Sequence, residues 1–174
     1  MTQEYKIPIV ETRVTKVRGR GLFALVDFDE GQTIKLLDIE REISADRPLK
    51  EFERADHVSF WDGRILLIGD PVRNRNHSCN PNCFVRANES NCDILELVAR
   101  RPIAADEEVT LDYLINNPGG ASWQCHCGAS RCRGLIAGSY FDLPIEIQRE
   151  YRPLLAEWFV AANRNRISAL DSNS

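Results

Sequence analysis

Residues 73–82 read Arg-Asn-Arg-Asn-His-Ser-Cys-Asn-Pro-Asn, the most unusual run in the chain. From Asn76 to Asn82 it carries three asparagines, a histidine and a proline, which favour a tight turn held by side-chain hydrogen bonds to the backbone. Taken alone, the run predicts a loop that satisfies its own backbone groups. A lone His77 is more often a structural than a catalytic histidine. The meaning of the run therefore depends on the segments before and after it.

Two further segments flank this loop along the chain. An acidic turn at residues 105–108 leads into a predicted strand at 109–113, which ends at Tyr113. On the other side, Gly19-Arg20-Gly21 forms a glycine-rich corner before the apolar run 22–26. A tyrosine at a strand end is usually an ordinary core or surface aromatic residue. Each of these segments is weak evidence when it is taken alone.

Alternation of apolar and polar residues predicts a mainly β chain of short strands. The predicted strands are residues 9–14, 32–39, 65–68, 94–99 and 109–113. Residues 41–60 are polar and mixed, which predicts a variable insert with one short helix. The tail is predicted to be helical, because its apolar residues from Ile147 to Ala162 share one helical face. Pro153 is expected to kink that helix or to begin a second one.

Three of the six cysteines fall within residues 125–132 with the spacing C-x-C-x4-C. Such a segment can wrap one metal ion, and a structural zinc site requires four thiolate or imidazole ligands in a tetrahedron. The segment supplies three thiolates, and the candidates for the fourth ligand are His126, Cys79, Cys83 and Cys92. His126 stands between two ligands and is expected to point away from the ion. Spacing alone does not choose between Cys79 and Cys83.

Length and composition are typical of a single globular domain. The chain has 174 residues, of which 43% are hydrophobic and 28% charged, and its formal net charge is -4. These values argue against disorder and against a strongly basic nucleic-acid-binding protein. No window approaches the length of a membrane span, and residues 1–10 lack the pattern of a signal peptide. We therefore expect an intracellular protein, cytoplasmic or nuclear, with reduced thiols and no direct contact with membrane or nucleic acid.

Four segments, taken together, resemble the motifs of the SET-domain lysine methyltransferases. Residues 18–24 resemble the opening glycine motif of that family, and residues 73–82 its Arg-x-x-Asn-His-Ser-Cys-x-Pro-Asn signature. Residues 106–113 resemble its Gly-Glu-Glu-Leu-Thr-aromatic-Asp-Tyr signature, and residues 125–134 its post-SET Cys-x-Cys-x4-Cys-Arg-Gly motif. The four motifs occur in the family's order and span residues 14–135, which makes them far more specific together than singly.

The resemblance implies a SET-domain fold, mainly β with short helices, in which the sheets are small and mostly antiparallel. The chain near Tyr113 would thread under the Asn-His loop as a pseudoknot. The implied parts are a SET domain at residues 1–114, a post-SET zinc-binding segment at 115–139, and a helical tail at 140–174 packed on the same domain. The implied activity is transfer of a methyl group from S-adenosylmethionine to a lysine of a protein substrate, such as a histone.

The resemblance also assigns roles to matching positions. Tyr113 matches the catalytic tyrosine. The implied cofactor contacts are Arg20, Gly21 and Leu22 through their backbone, together with Arg73, Asn76 and His77. The implied zinc ligands are Cys79, Cys125, Cys127 and Cys132. The resemblance, unlike the spacing, therefore favours Cys79 over Cys83.

Some positions depart from the family pattern. Asn74 and Arg75 stand where the family usually has apolar residues, so the family's local packing does not carry over there. Leu111 stands where the family usually has Phe or Tyr, at the position that sets how many methyl groups are added. Its lack of a hydroxyl predicts di- or trimethylation. Phe60 and Trp61 are candidates for the lysine channel, although a core position is the simpler interpretation for each.

Two other functions are compatible with parts of the sequence. A catalytically silent SET-like module could bind a basic peptide, but the intact Asn76, His77 and Tyr113 argue against it. A zinc-stabilised nucleic-acid-binding protein is disfavoured by the negative net charge and by the lack of a basic cluster in the sequence.

Overall fold

The computed structural model describes residues 8–15, 19–120 and 122–172. Their strands are, in chain order, β1 (Val10–Thr15), β2 (Gly19–Ala24), β3 (Thr33–Leu36), β4 (Ile39–Ile43), β5 (Val58–Trp61), β6 (Arg64–Ile68), β7 (Asn76–His77), β8 (Cys83–Ala87), β9 (Leu95–Ala99), β10 (Thr110–Leu111), β11 (Trp123–Gln124) and β12 (Leu135–Ile136). The α-helices are α1 (Ile145–Tyr151), α2 (Glu157–Ala162) and α3 (Arg164–Ser172). Short 3-10 turns lie at Ala55–His57, Val72–Asn74, Tyr140–Asp142 and Arg152–Leu154.

These strands form several small sheets instead of one large sheet. β1 and β2 form an antiparallel hairpin, β11 pairs antiparallel with β12, and β4, β6 and β5 form an antiparallel three-stranded sheet. The central sheet has the order β3-β9-β8-β10-β7, in which β9 pairs antiparallel with both of its neighbours. The prediction of a mainly β fold of small sheets with short helices is confirmed.

β10 lies between the two strands that flank the Asn-His loop. It pairs in parallel with β7 on one side and with β8 on the other, so residues 78–82, which join β7 to β8, cross over it. The backbone N–H groups of Ser78 and Asn82 donate to the carbonyls of Leu111 and Thr110, over 3.0 and 3.2 Å. This threading, which the family resemblance implies, brings the Asn-His loop to the end of β10.

The predicted strands differ from the observed ones at several places, and the strand expected at 109–113 is only the two residues of β10. Residues 32–39 are not one strand, because the chain leaves the central sheet after Leu36 and joins the three-stranded sheet at Ile39. The insert at 41–60 contains the predicted short helix as a 3-10 turn, but its ends belong to β4 and β5. The charged residues of this insert made it look like a solvent-exposed segment. Arg41 in β4 is in fact largely buried, where it forms an ion pair with Glu53.

Two apolar clusters form the interior. The first lies under the sheets and includes Trp61, and the second lies between the helices and the cysteine segment and includes Cys79 and Phe159. They meet at Trp158, whose ring makes edge contacts with Phe60, Trp61 and Phe159. Trp61 is therefore a core residue, whereas Phe60 is partly exposed.

The tail is divided into short helices. Pro153 lies in the 3-10 turn that follows α1, and α2 begins only after this turn. Each helix buries one large side chain against the second cluster, namely Tyr151, Phe159 and Ile167. None of the helices in the described ranges is long and apolar enough to span a bilayer.

Candidate functional site

Two cavities meet at Tyr113. The polar cavity, of about 400 Å3, is lined by Gly19, Arg20, Arg54, Asp56, His57, Arg73, Asn74, Arg75, Asn76 and Tyr113. The apolar cavity, of about 780 Å3, is lined mainly by apolar side chains that include Val58, Phe60, Trp61, Ile65, Val85, Leu95, Leu111, Ile115 and Trp123. Asp56, Arg75 and Tyr113 line both cavities. Both volumes lie in the range of small-molecule sites.

The hairpin and the acidic turn hold Asn76 at the polar cavity. Its side-chain amide donates to the Arg20 carbonyl over 2.9 Å and to Glu108 Oε1 over 2.7 Å. Gly21 follows Arg20 in β2, and a Cβ added there would lie 2.6 Å from the same carboxylate oxygen. A side chain at position 21 would therefore displace the Glu108 carboxylate that Asn76 binds.

Tyr113 is held at its hydroxyl, its ring and its backbone. The hydroxyl donates to the Arg75 carbonyl over 2.8 Å, and the backbone N–H donates to His77 Nδ1 over 3.2 Å. The ring makes an edge contact with His77 at 5.3 Å between centroids and lies 6.0 Å from the ring of Trp123. Because His77 Nδ1 accepts a hydrogen bond, a neutral imidazole carries its proton on Nε2, which faces Cys79 Sγ at 3.3 Å.

Asp112, immediately before Tyr113, is a fully buried carboxylate. Arg133 donates to both of its oxygens, over 2.7 and 3.0 Å. The Leu114 backbone N–H and the Tyr151 hydroxyl donate to it over 3.1 and 3.2 Å. Burying a carboxylate costs free energy unless charged and polar partners replace its lost hydration. Asp112 therefore joins the end of β10, the cysteine segment and α1.

A second set of ion pairs fastens the cysteine segment to α1. Arg131 donates to both carboxylate oxygens of Glu150, over 2.7 and 2.8 Å, and to the Cys79 carbonyl over 3.0 Å. Arg100 pairs with the same carboxylate. The hydrogen bond from Arg131, followed by that from Arg100, lowers the pKa of Glu150 against the opposing effect of burial. Helix α1 therefore holds the cysteine segment in place through the Glu150 carboxylate.

A buried cluster of sulfur and nitrogen atoms lies beside this network. The ligand atoms of His77, Cys79, Cys125 and Cys127 all lie within 4.8 Å of one another. The sulfurs of Cys79 and Cys125 are 3.7 Å apart. A disulfide bond is about 2.05 Å long, whereas a tetrahedron with metal–sulfur bonds of about 2.3 Å has edges of about 3.8 Å. The cluster could therefore hold a metal ion.

Backbone hydrogen bonds favour the thiolate form of one member of this cluster. Burial raises the pKa of Cys127, but the backbone N–H groups of Cys79 and Ala129, together with hydrogen bonds from the Cys132 and Cys125 thiols, outweigh burial and lower this pKa to about 7. The Cys79 N–H donates to Cys127 Sγ over 3.4 Å. Thiolate is the form of cysteine that binds metals.

The remaining candidate ligands lie in different surroundings. Cys132 Sγ is 3.5 Å from the Cys125 carbonyl but is not one of the four atoms that lie within 4.8 Å of one another. Cys83 is buried in β8, where its thiol donates to a β10 carbonyl over 3.1 Å and burial raises its pKa to about 12. Cys92 and His126 are exposed.

A family model described as the SET domain matches residues 19–114, more than half of the chain. The chain belongs to the SET-domain family. The matched range contains the glycine corner, the Asn-His loop and Tyr113, whereas the cysteine segment and the helices lie beyond it. The SET domain therefore supplies the residues that line the polar cavity, and the segment that follows supplies the partner of Asp112.

Relatives of this SET domain are much longer proteins. An H3 lysine-36-specific histone-lysine N-methyltransferase of Candida albicans is 29% identical over 149 residues, which cover 78% of this chain and 17% of the relative. Histone-lysine N-methyltransferase NSD3 of Mus musculus is 39% identical over 141 residues, which cover 74% of this chain and 10% of the relative. The chain thus spans less than a fifth of the length of either relative.

A solved structure supports the SET fold. It is a Plasmodium falciparum protein assigned as a histone methyltransferase, and it matches with a TM-score of 0.50 at 18% identity. The match covers 62% of this chain and 95% of the other. At this identity the likeness concerns the fold alone.

The SET domain brings several predicted site residues together. Arg20, Arg73 and Asn76 line the polar cavity with Tyr113. His77 lies behind Tyr113 and touches its ring. Their proposed contacts with a cofactor remain predictions.

Other predicted site residues lie away from both cavities. Gly21 and Leu22 line neither cavity, and the Leu22 carbonyl accepts the Val109 N–H over 2.7 Å. Arg18, which opens the glycine motif, lies outside the described residues.

Sequence reasoning missed residues that line or support the site. Asp56 and His57 line the polar cavity, but they belong to an insert whose sequence is only polar and mixed. No motif in that insert indicates a binding site. Glu150 and Tyr151 are ordinary helix residues until the fold places them against Arg131 and Asp112.

Arg133→Met should lower the free energy of unfolding by about 3–5 kcal/mol, because Asp112 would stay buried without its charged partner. Urea unfolding followed by circular dichroism measures the change. Arg64→Met, at an exposed position in β6, is the matched control and should stay within about 0.5 kcal/mol of the wild type. Equal losses in the two variants would contradict the role given to Arg133.

Proposed function

We propose that the chain is a protein-lysine methyltransferase that uses S-adenosylmethionine. The observation that carries the proposal is the position of Tyr113, which lines both cavities and whose hydroxyl is hydrogen-bonded at their junction. Membership of the SET-domain family supports it, as do relatives that are named histone-lysine N-methyltransferases.

The polar cavity suits the cofactor. Arg20 brings positive charge that would bind a carboxylate, and Asn76 adds polar groups beside it. Arg73 lines the same cavity, although it already pairs with Asp70 and Glu40. Gly19 has a φ of +73°, and among the described residues, its chain neighbours aside, no atom lies within 4 Å of the place where its Cβ would be, so a ligand has room against the backbone there. When bound, S-adenosylmethionine supplies a methyl group on a sulfonium, which an amine can displace in line.

The apolar cavity suits the side chain of a substrate lysine. A free lysine has a pKa of about 10.4, so it is charged at neutral pH and must lose a proton before it can act as a nucleophile. Apolar walls such as Trp61 and Leu111 disfavour the ammonium form and thereby lower the pKa of a bound amine. Tyr113 would direct that amine towards the polar cavity. The chain would then contribute mainly alignment and exclusion of water.

The proposed substrate is a lysine of a histone or of another protein. The relatives named here are described as acting on histones, in one case on lysine 36 of H3. A histone substrate would place this protein in the nucleus.

We also propose that residues 115–139 form a post-SET segment that holds one structural zinc ion. The 3.7 Å distance between two sulfurs and the thiolate-rich donor set fit such an ion. The proposed fourth ligand is Cys132 and not His77, because His77 Nε2 carries the ring proton when Nδ1 accepts from Tyr113. Through Cys79 the ion would tie the segment to the Asn-His loop.

Tyr113→Phe should keep cofactor binding and lower turnover about 100-fold, the usual cost of losing one well-placed catalytic hydrogen-bonding group. Release of S-adenosylhomocysteine with core histones measures turnover, and a thermal shift with S-adenosylmethionine measures binding. Tyr140→Phe is the matched control, because it removes a buried hydroxyl outside both cavities. Undiminished turnover in Tyr113→Phe would remove this residue from its role.

The same assay tests the proposed function itself. A wild-type chain that is stabilised by S-adenosylmethionine but forms no product with any histone or lysate protein would be a silent binding module. A chain that the cofactor does not stabilise would contradict both functions.

The wild-type chain should contain one zinc per molecule when it is purified without chelators. Cys79→Ser should lose most of this zinc and Cys132→Ser should bind it more weakly, because each removes a thiolate. Cys83→Ser is the control and should keep it, because its thiol faces β10. Elemental analysis of each variant decides the matter. Zinc that survives Cys132→Ser but not His77→Ala would show that the fourth ligand is the histidine.

Leu111 is the residue that we expect to influence how many methyl groups the substrate lysine receives. It is half-buried and lines the apolar cavity, and it has no hydroxyl that could hold a water molecule beside the amine. A methylated amine should therefore be able to enter again. Phe60 lines the same cavity and is the residue that could occupy the space left by a smaller side chain.

Under excess cofactor, the wild-type chain should carry a substrate lysine to the di- or trimethylated state. Leu111→Tyr should shift the product towards monomethyl-lysine, because the new hydroxyl can hold a water where the methyl groups would lie. Leu111→Phe adds the ring without the hydroxyl and separates volume from hydrogen bonding. Mass spectrometry of the product measures the outcome, and a wild-type product that stops at monomethyl-lysine would refute this interpretation.

A further inference from the structure

Arg75 is a buried guanidinium in the wall of both cavities, and it is 6% exposed. It donates to the Val72 carbonyl over 2.9 Å and to the Ser59 hydroxyl. Its Nε is buried and has no hydrogen-bond partner, and no carboxylate of the described residues pairs with the group. Burial lowers the pKa of Arg75, but an arginine stays protonated at any pH at which proteins fold.

The other charges that face the apolar cavity have partners. Asp112 receives two hydrogen bonds from Arg133, and Asp56 receives two from Arg54, over 2.8 and 2.5 Å. Two neutral groups complete the surroundings of Arg75, the Cys83 thiol, whose pKa burial raises to about 12, and the hydroxyl of Tyr113.

The polar cavity does not add a compensating negative charge. Its remaining titratable residues are Arg20, Arg73 and His57, all of which are cationic or neutral. Among the described lining residues of the apolar cavity, Arg75 is therefore the one charge without a counter-ion.

We propose that Arg75 is a fixed positive charge that keeps ammonium groups out of the apolar cavity and so selects the neutral amine of the substrate lysine. This inference rests on the proposed function, because it takes the apolar cavity as the lysine channel. The lysine would release its proton to solvent before entry. Its lone pair would then form the new C–N bond as the S–CH3 bond breaks. Arg75 would act on the amine through its electric field and would not bond to the reacting atoms.

The size of the effect follows from Coulomb's law. At an effective dielectric constant of about 20, a unit charge roughly 10 Å away lowers the pKa of an amine by about one. That change multiplies the neutral fraction of a lysine about tenfold at neutral pH. The apolar walls would add to the same preference.

A pair of small probes tests the inference without turnover. n-Butylamine is a cation at pH 7 and n-butanol is neutral, and both have the length of a lysine side chain. Ligand-observed NMR with saturating S-adenosylhomocysteine gives the affinity of each probe. The wild type should prefer the alcohol, and Arg75→Gln should reduce that preference about tenfold. An unchanged ratio in Arg75→Gln would overturn the proposal.

The pH dependence of turnover gives a second readout. With core histones, the acid limb of kcat/KM should move up by about one pH unit in Arg75→Gln, because the lysine would need a higher pH to lose its proton. An acid limb at the wild-type pH would overturn the proposal. Absence of wild-type turnover would instead contradict the proposed function, and the probe ratio alone would then decide the role of Arg75.

Two further variants serve as controls. Arg64→Gln makes the same change at an exposed position and should alter neither readout. Arg75→Met removes the charge together with the hydrogen bonds to Val72 and Ser59. Agreement of Arg75→Met with Arg75→Gln assigns the effect to charge, and disagreement would overturn that assignment. Both Arg75 variants should fold, because a buried charge without a partner adds little to stability.

Discussion

The buried carboxylate of Asp112 joins three parts of the chain that are far apart in sequence. Arg133 reaches it from the cysteine segment, Tyr151 from α1, and Leu114 from the turn that follows β10. Removing one partner of a buried ion pair is far more damaging than never having formed the pair. This carboxylate therefore contributes strongly to the position of the cysteine segment over the SET domain, together with the hydrogen bond from Arg131 to the Cys79 carbonyl.

The threading of β10 between β7 and β8 is a second constraint on the position of Asp112 and Tyr113, which follow β10. Both of its parallel pairings require the Asn-His loop to cross over it. As a result, one short segment at the end of β10 carries both Asp112 and Tyr113. One of these residues anchors the cysteine segment, and the other stands at the junction of the two cavities.

The two cavities differ in the chemistry they favour. Guanidinium groups and open backbone line the polar one, which suits the carboxylate of a ligand such as S-adenosylmethionine. Aromatic and aliphatic side chains line the apolar one, where a charged amine loses its hydration. The positive charge of Arg75, like these apolar walls, would lower the pKa of a bound amine. A methyl transferase needs this contrast, because its nucleophile must be neutral while its methyl donor is a cation.

The motifs could be identified from the sequence, because turn residues, glycines and closely spaced thiols form recognisable local patterns. They indicated the fold class, the Asn-His loop, Tyr113 and the cysteine cluster. Only the tertiary structure decided that Asp112 is the anchor, that Tyr151 supports the site from α1, and that Arg75 has no counter-ion within the part of the chain that the structure describes. Each of these facts depends on contacts between residues distant in the chain, and neither periodicity nor spacing encodes such contacts.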